Sequence, residues 1–132
     1  DGRVHSQTGR GLLVLVGSRT GDKEESCFKL ADKVVNLRIF EDENDKMNLS
    51  AVDVRADLMI VSQFTLYADT RKGRRPAFTE AMEPVEAERL YDVFVKAVEE
   101  YGLKVAAGVF GAKMDIRFNN SGPVTIIVEH DS

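Results

Sequence analysis

The chain has few of the residue types on which many reactive and structural sites depend. Its 132 residues include one cysteine, two histidines, three prolines and no tryptophan. A lone cysteine excludes an internal disulfide framework and is typical of a reducing compartment, so we expect a cytoplasmic protein. The longest apolar run, from Leu12 to Val16, is too short to cross a bilayer, and no signal peptide is visible. We therefore expect no membrane association.

The composition otherwise matches one ordinary globular domain over residues 1–132. Hydrophobic residues make up 43% of the chain and charged residues 30%, which is enough apolar material to bury a core. The formal net charge is -4. Because the chain is acidic overall, it does not resemble a basic nucleic-acid coat, but total charge does not describe a local patch.

The residue combinations that usually carry catalysis are absent. His5 and His130 lie near the chain ends, where solvated side chains are the expected state, and Cys27 falls on the apolar face of a helical pattern. No cysteines and histidines have the spacing of a metal site, so we expect neither a metal nor a cofactor. The carboxylates that could in principle bind a cation are scattered, and we expect them to lie on the surface: Asp53, Asp57 and Asp69.

Hydrophobic periodicity predicts two helices and six or seven strands. The first helix starts at Asp22, an N-cap with Glu25 three residues later, and ends near Asn36; the second opens at Glu83-Pro84 and stops at Gly102. Strands are predicted over residues 12–16, 37–40, 48–54, 58–67, 103–107, 114–118 and 124–128. The pattern favours the α+β class, as a mainly antiparallel β-barrel or sandwich backed by two helices.

Polar residues interrupt the strongest of these strands near its end. Ser62, Gln63 and Thr65 follow directly on the apolar run that starts at Leu58. Strand ends often present polar groups to ligands. The alternative is a strand that leaves the core, with Ser62 and Thr65 bonding to local backbone.

A Gly-Pro pair separates the last two predicted strands, in the sequence NNSGPVT from Asn119 to Thr125. A hairpin loop accounts for the turn-forming residues. It does not explain why Gly122 and Pro123 are both present, because either residue alone makes a serviceable turn.

Four positive charges are concentrated in the sequence RKGRRP, at Arg71, Lys72, Arg74 and Arg75. Such a run is usually a solvated face. Beside a ligand site it could instead hold nucleic-acid phosphates.

Two motifs give the chain a resemblance to a known family. SQFTL, from Ser62 to Leu66, matches an SQxxL signature, and NSGPVT, from Asn120 to Thr125, matches an NxGPVT signature. Both are signatures of the D-aminoacyl-tRNA deacylases, and GRGLLVLVG, NLRIFED, YADTRKGRRPAF and GVFGAKM also resemble family segments in the same order. Relatives usually begin with a strand before the Asp1-Gly2 turn, so the resemblance implies that this N-terminal strand is absent here.

The resemblance implies a homodimer with active sites at the subunit interface. It implies hydrolysis of the ester of D-aminoacyl-tRNA, and of mischarged glycyl-tRNA, with L-substrates rejected by a Gly-cisPro element. The implied catalytic residues are Ser62, Gln63, Phe64 and Thr65, and the implied substrate-binding residues are Asn120, Gly122, Pro123, Val124 and Thr125. The implied adenosine pocket is Phe110, Ala112 and Met114, and the implied contacts to the tRNA backbone are Arg71, Lys72, Arg74 and Arg75.

Two other functions remain open from the sequence. The basic loop and the shortage of ionisable catalysts fit a non-catalytic RNA-binding module, which would bind without turnover. A related editing deacylase of the same fold, acting on an L-aminoacyl-tRNA, is the second alternative. Ordinary core packing is likewise an alternative role for Phe110 and Met114.

Overall fold

The computed structural model describes residues 3–5 and 7–130. Asp1 and Gly2, on which the expectation of a preceding strand depends, lie outside the described residues. In chain order the elements are β1 (Gly11–Val16), α1 (Glu24–Asn36), β2 (Phe40–Glu41), β3 (Met47–Leu49), α2 (Ala51–Val54), β4 (Asp57–Ser62), a 3-10 helix (Phe64–Tyr67), α3 (Pro84–Glu99) and β5 (Val105–Ala107). Helices and strands thus form one α+β chain.

The main sheet is parallel and has the strand order β1-β4-β5. Gly11 to Val16 pair in register with Asp57 to Ser62, and Leu58 to Ile60 pair with Val105 to Ala107. The prediction of a mainly antiparallel barrel is therefore not confirmed, since only β2 and β3 pair antiparallel and neither sheet of the described residues closes. The physical reason is the connections: helices separate β1 from β4 and β4 from β5, and such crossovers return the chain in the same direction.

Both long helices form as predicted, with small differences at their starts. α1 begins at Glu24 rather than at Asp22, whose carboxylate instead accepts a hydrogen bond from the Arg19 backbone N–H at 2.7 Å. α3 begins at Pro84, and the Glu83 carboxylate accepts from the backbone N–H groups of Val85 and Glu86. The chain turns away after α3 at Gly102, whose φ of 79° suits a residue without a Cβ.

The core lies between one face of the sheet and the two long helices. Leu58 and Ile60 of β4 are fully buried, as are Val35 of α1 and Val98 of α3, and Phe94 is 1% exposed. Full burial of one such side chain contributes about 1.5–3 kcal/mol to stability. This packing fixes β4, the central strand, and therefore the point at which β4 ends.

Two of the predicted strands end earlier than their sequences indicate. The stretch 48–54 splits into β3 and α2, because Ser50 caps the helix: its Oγ accepts from the Asp53 N–H at 3.1 Å, and Asp53 accepts from the Ser50 N–H at 2.9 Å. The stretch 58–67 leaves the sheet after Ser62 and tightens into the 3-10 helix. Of the predicted strand 37–40, only Phe40 pairs with β3.

The segment 111–130 contains no helix or strand among its described residues, so the predicted strands 114–118 and 124–128 are wrong for this structure. A strand requires a neighbour for its backbone hydrogen bonds, and the main sheet ends at β5. Apolar side chains of this segment are consequently exposed, with Phe118 at 64% and Ile127 at 85%. No helix within the described ranges is long and apolar enough to span a membrane.

Candidate functional site

The SQFTL motif lies where β4 passes into the 3-10 helix. Ser62 is the last residue of β4 and pairs with Val16 of β1. The Gln63 backbone N–H continues this ladder by donating to the Val16 carbonyl at 2.8 Å. The first turn of the 3-10 helix then closes from the Leu66 N–H to the Gln63 carbonyl at 3.2 Å.

This arrangement separates the backbone donors of the motif into two groups. The Gln63 N–H is occupied by the sheet, so it is not available to a ligand. Phe64 and Thr65 are the first two residues of the 3-10 helix, and N–H groups at that position have no carbonyl partner within their own helix. Of the three residues Gln63 to Thr65, those with an available backbone donor are thus Phe64 and Thr65.

The side chains of the motif are held locally. Gln63 Nε2 donates to Thr65 Oγ1 at 2.5 Å, and the Phe64 ring meets the Phe78 ring edge-on at a centroid distance of 5.0 Å. Phe64 nevertheless remains 58% exposed. Phe78, which belongs to neither motif, therefore connects SQFTL to the end of the basic loop.

Gly17 is a second residue of the site that belongs to neither motif. A Cβ at this position would lie 2.8 Å from the Gln63 carbonyl oxygen and 3.4 Å from Leu66 Cβ. Real Cβ atoms do not approach a backbone oxygen so closely. The position of Gly17 immediately after an apolar strand was the available signal, because glycine at a strand end often marks a close backbone approach.

Met114 lies beside the end of β4, but Phe110 belongs partly to the core. Both Met114 and Val61 of β4 pack against Gly108. A Cβ added to Gly108 would lie 3.2 Å from Met114 Sδ, 3.3 Å from Met114 Cε and 3.6 Å from Val61 Cγ2. Phe110 packs against the core, with its ring 6.1 Å from that of Tyr91. Ala112 is exposed, and its N–H closes a turn to the Val109 carbonyl at 3.2 Å.

The NSGPVT motif is shaped by the side chain of its first residue. Asn120 Oδ1 accepts from the Val124 N–H at 2.9 Å, and Asn120 Nδ2 donates to Thr125 Oγ1 at 3.0 Å. These two bonds span the Gly122-Pro123 peptide, which is cis. The five-residue spacing of Asn120 and Thr125 in the motif therefore allows their side chains to bond across the turn.

Gly122 adopts a conformation that L-residues rarely take, with a φ of 133°. A Cβ here would also be 3.0 Å from Val124 Cγ2. Gly122 and Pro123 are both exposed, and within the described residues no hydrogen bond joins this motif to SQFTL. The two motifs are thus separate surface features of the described chain.

The basic loop is closed by a bridge between Asp69 and Ala77, whose backbones exchange hydrogen bonds of 2.7 and 2.9 Å. Arg71 folds back on Asp69 through two side-chain hydrogen bonds, and the pairing lowers the pKa of the Asp69 carboxyl to about 2. At physiological pH both groups are therefore charged, and the Asp69 carboxylate balances the charge of Arg71. Within the described part of the chain, the ion pairs include none from Lys72, Arg74 or Arg75, which are exposed.

The remaining candidate residues, Cys27 and Asp57, make contacts that stabilise the fold and show no sign of a reactive site. Cys27 is buried, its Sγ lies 3.4 Å from the Leu90 carbonyl oxygen, and burial raises the pKa of the thiol to about 11. A thiol with so high a pKa is a poor nucleophile. Asp57 accepts a long bond from the Gly9 N–H. In the ranges 3–5 and 7–130, no three His, Cys, Asp or Glu side chains cluster as a metal site would require.

With this geometry in place, comparison with known proteins identifies the family. Residues 1–129 match the family model described as D-Tyr-tRNA(Tyr) deacylase. The chain belongs to this family. It is 52% identical to the D-aminoacyl-tRNA deacylase of Aquifex aeolicus over 129 residues, which cover 98% of this chain and 87% of the relative.

Other members of the family differ in how they are described. The D-aminoacyl-tRNA deacylase of Halothermothrix orenii is 54% identical over 128 residues, covering 97% of this chain and 86% of the relative. A relative from Bacillus subtilis, 52% identical over 129 residues and covering 98% of both chains, is described as an inactive D-aminoacyl-tRNA deacylase. High identity to the family therefore does not by itself establish activity.

Solved structures agree on the fold. A protein described as c-Myc DNA Unwinding Element Binding Protein has a TM-score of 0.87 and 37% identity, covering 94% of this chain and 85% of that one. A probable eukaryotic D-amino acid tRNA deacylase has a TM-score of 0.75 at 20% identity, covering 86% and 81%, and at that identity it supports the fold alone.

Proposed function

We propose that this chain hydrolyses the ester of D-aminoacyl-tRNA in the cytoplasm and releases the free D-amino acid and tRNA. Membership of a family of hydrolases supports the reaction. The observation that carries the proposal is the end of β4, after which the exposed residues Phe64 and Thr65 offer backbone donors. Met114, one of the residues matching the family's adenosine pocket, lies against Gly108, as does Val61 of β4.

The proposed chemistry is attack by water on an ester that is already reactive. The protonated α-amine of the substrate withdraws electrons from the carbonyl, so holding the ester and stabilising the developing oxyanion are the main tasks. The N–H groups of Phe64 and Thr65 are the proposed donors to that oxyanion. The Gln63 N–H is not proposed as a third donor, because it already donates to the Val16 carbonyl of β1.

The Thr65 hydroxyl is a weaker candidate as a covalent nucleophile. A nucleophilic hydroxyl requires a base to take its proton. Its nearest side-chain partner is the amide of Gln63, and an amide is not a base at neutral pH. We therefore favour water, assisted by the ribose hydroxyl of the substrate, and expect Thr65→Ala to keep most of the single-turnover rate.

Rejection of L-substrates is proposed for the exposed Gly122-Pro123 segment. A backbone carbonyl placed where an L side chain would have to lie rejects by clash, and this mechanism needs no pocket for a particular D side chain. The two side-chain bonds of Asn120 support the proposal, because they restrict the segment that would form the filter. Glycine has no side chain to reject, so glycyl-tRNA is a proposed substrate as well.

A homodimer with an active site built from both subunits is proposed on two grounds. The two motifs share no hydrogen bond within the described part of one chain, so a second copy could bring Gly122-Pro123 of one subunit to SQFTL of the other. The segment that carries Gly122 also exposes apolar side chains, including Ile127 at 85%. The tRNA acceptor end is then proposed to contact Lys72, Arg74 and Arg75 of the basic loop, with Arg71 restrained by Asp69.

Deacylation of D-tyrosyl-tRNA and L-tyrosyl-tRNA made from the same tRNA tests the proposal. We expect turnover of the D-ester alone. Gly122→Ala should reduce turnover or D/L discrimination, because alanine does not fit a φ of 133°. Gly21→Ala is the matched control, since Gly21 also has a positive φ, of 98°, with no atom within 4 Å of the added Cβ.

The same assay separates the alternatives. Preferential hydrolysis of the L-ester would indicate an editing deacylase for L-substrates. Binding of tRNA without turnover of either ester would indicate an RNA-binding protein or a catalytically inactive member. The relative from Bacillus subtilis gives the inactive state a specific precedent within the family.

A further inference from the structure

Tyr91 is a buried tyrosine on α3 whose hydroxyl bonds both to β4 and to the residue that follows β5. Its Oη donates to the Ile60 carbonyl at 2.6 Å and accepts from the Gly108 N–H at 3.2 Å. The side chain belongs to the core, and the residue is 6% exposed. Burial also raises the pKa of this phenol, so the hydroxyl remains a donor at neutral pH.

The hydroxyl lies where β4 and β5 separate. The Gly108 N–H also donates to the Ile60 carbonyl, at 3.0 Å, and this bond continues the pairing with β4 one residue past the end of β5. β5 ends at Ala107, whereas β4 continues to Ser62 beside β1. Tyr91 thus bonds to both groups of the hydrogen bond that extends the ladder past β5, immediately before the chain turns away from the sheet.

The chain that turns away carries the residues proposed to hold adenosine. Met114 packs back against Gly108, next to Val61 of β4. Phe110 lies against Tyr91 itself, with ring centroids 6.1 Å apart and planes inclined by 52°. Tyr91 therefore contacts this loop, residues 108–114, through its hydroxyl at the start of the loop and through its ring at Phe110.

We propose that Tyr91 is a positioning residue for the loop 108–114. Its hydroxyl sets the angle at which the loop leaves β5, and its ring supports Phe110, so that Met114 lies beside the end of β4. The proposal rests on the proposed function only in assigning adenosine to this loop. Because Tyr91 is buried and acts through the loop, its expected effect falls on substrate binding.

Tyr91→Phe tests the hydroxyl while keeping the ring. We expect the KM for D-tyrosyl-tRNA to rise about three- to tenfold, from the loss of both hydrogen bonds of the hydroxyl, with kcat changed less than about twofold. Tyr101→Phe is the matched control, because the exposed Tyr101 hydroxyl donates to Asp32 at 2.9 Å, away from the loop. A fall in kcat with unchanged KM in Tyr91→Phe would overturn the proposal.

Coupling to Met114 distinguishes positioning from a general loss of stability. In a Met114→Ala background the KM effect of Tyr91→Phe should largely disappear, since the hydroxyl then has no side chain to place. Additive effects would contradict the proposal. Phe110→Leu removes the ring contact while leaving Tyr91 unchanged, and it should also raise KM.

A measurement without substrate keeps the inference separate from the proposed function. The methyl resonance of Met114 and the hydrogen exchange of the Gly108 amide, both followed by NMR, should change in Tyr91→Phe and Phe110→Leu but not in Tyr101→Phe. Unchanged signals would overturn the inference whatever the reaction is. If the wild-type protein hydrolyses no D-ester while these signals do change, the proposed function fails and the positioning role stands.

Discussion

Residues 11–107 and residues 108–130 hold their candidate motifs by different means. SQFTL follows a strand whose Leu58 and Ile60 are fully buried, whereas the segment around NSGPVT exposes Phe118 and Ile127 to 64% and 85%. The first motif is placed by long-range packing, and the second by two bonds from one asparagine. We infer that damage to the core should move SQFTL, while NSGPVT should respond mainly to changes within itself.

The largest contrast is expected between two isoleucine substitutions. Ile60→Ala removes a fully buried side chain and should lower the free energy of unfolding by about 2–5 kcal/mol. Ile127→Ala removes an 85% exposed side chain and should change it by less than about 0.5 kcal/mol. Urea unfolding at several protein concentrations measures both effects. A large loss of unfolding free energy in Ile127→Ala that depends on protein concentration would show that a second copy covers this residue.

A smaller but more local effect is expected at Gly17. Gly17→Ala places a Cβ 2.8 Å from the Gln63 carbonyl oxygen, so the start of the 3-10 helix has to shift. We expect kcat for the D-ester to fall about ten- to hundredfold, because displaced donors no longer meet the oxyanion. Gly9→Ala serves as the control, since its added Cβ would lie 3.9 Å from the nearest atom, Asp57 Oδ2. Wild-type kcat in Gly17→Ala would argue against Phe64 and Thr65 as the donors.

The corresponding change in the second region is Asn120→Ala, which removes both bonds across the Gly122-Pro123 peptide. We expect D/L discrimination to fall about tenfold, with the free energy of unfolding changed by less than about 1 kcal/mol. Asn119→Ala, at the neighbouring exposed position, should leave discrimination unchanged. Unfolding without loss of discrimination would mean that the region depends on its asparagine for stability rather than for selection.

The smallest effects are expected in the basic loop. Arg74→Ala should weaken tRNA binding a few-fold and reduce the slope of log K against log salt by about 0.7–0.9, as expected for one lost phosphate contact. Arg71→Ala should alter the slope less, because Arg71 already pairs with Asp69, whose pKa of about 2 keeps the pair ionised down to strongly acidic pH. Equal slopes for both variants would contradict this division of the loop.

The sequence alone predicted both long helices, β1, the start of β4 and the loop character of the basic segment. Each of these depends on local periodicity or on a nearby cap, which can be read within a short window. Sequence also placed the two motifs, and with them the family. The expectations that were wrong concerned pairing: the direction of the main sheet and the strands 114–118 and 124–128 depend on neighbours that are distant along the chain.

The candidate site divides in the same way. The sequence by itself determined which residues are present at Ser62 to Thr65 and at Asn120 to Thr125, because these are local motifs. Only the tertiary structure decided that the Gln63 N–H is occupied by β1, that Gly17 leaves room for the 3-10 helix, and that Tyr91 reaches Gly108. The physical reason is that each of these contacts joins residues far apart in sequence, so only the packed core brings them together.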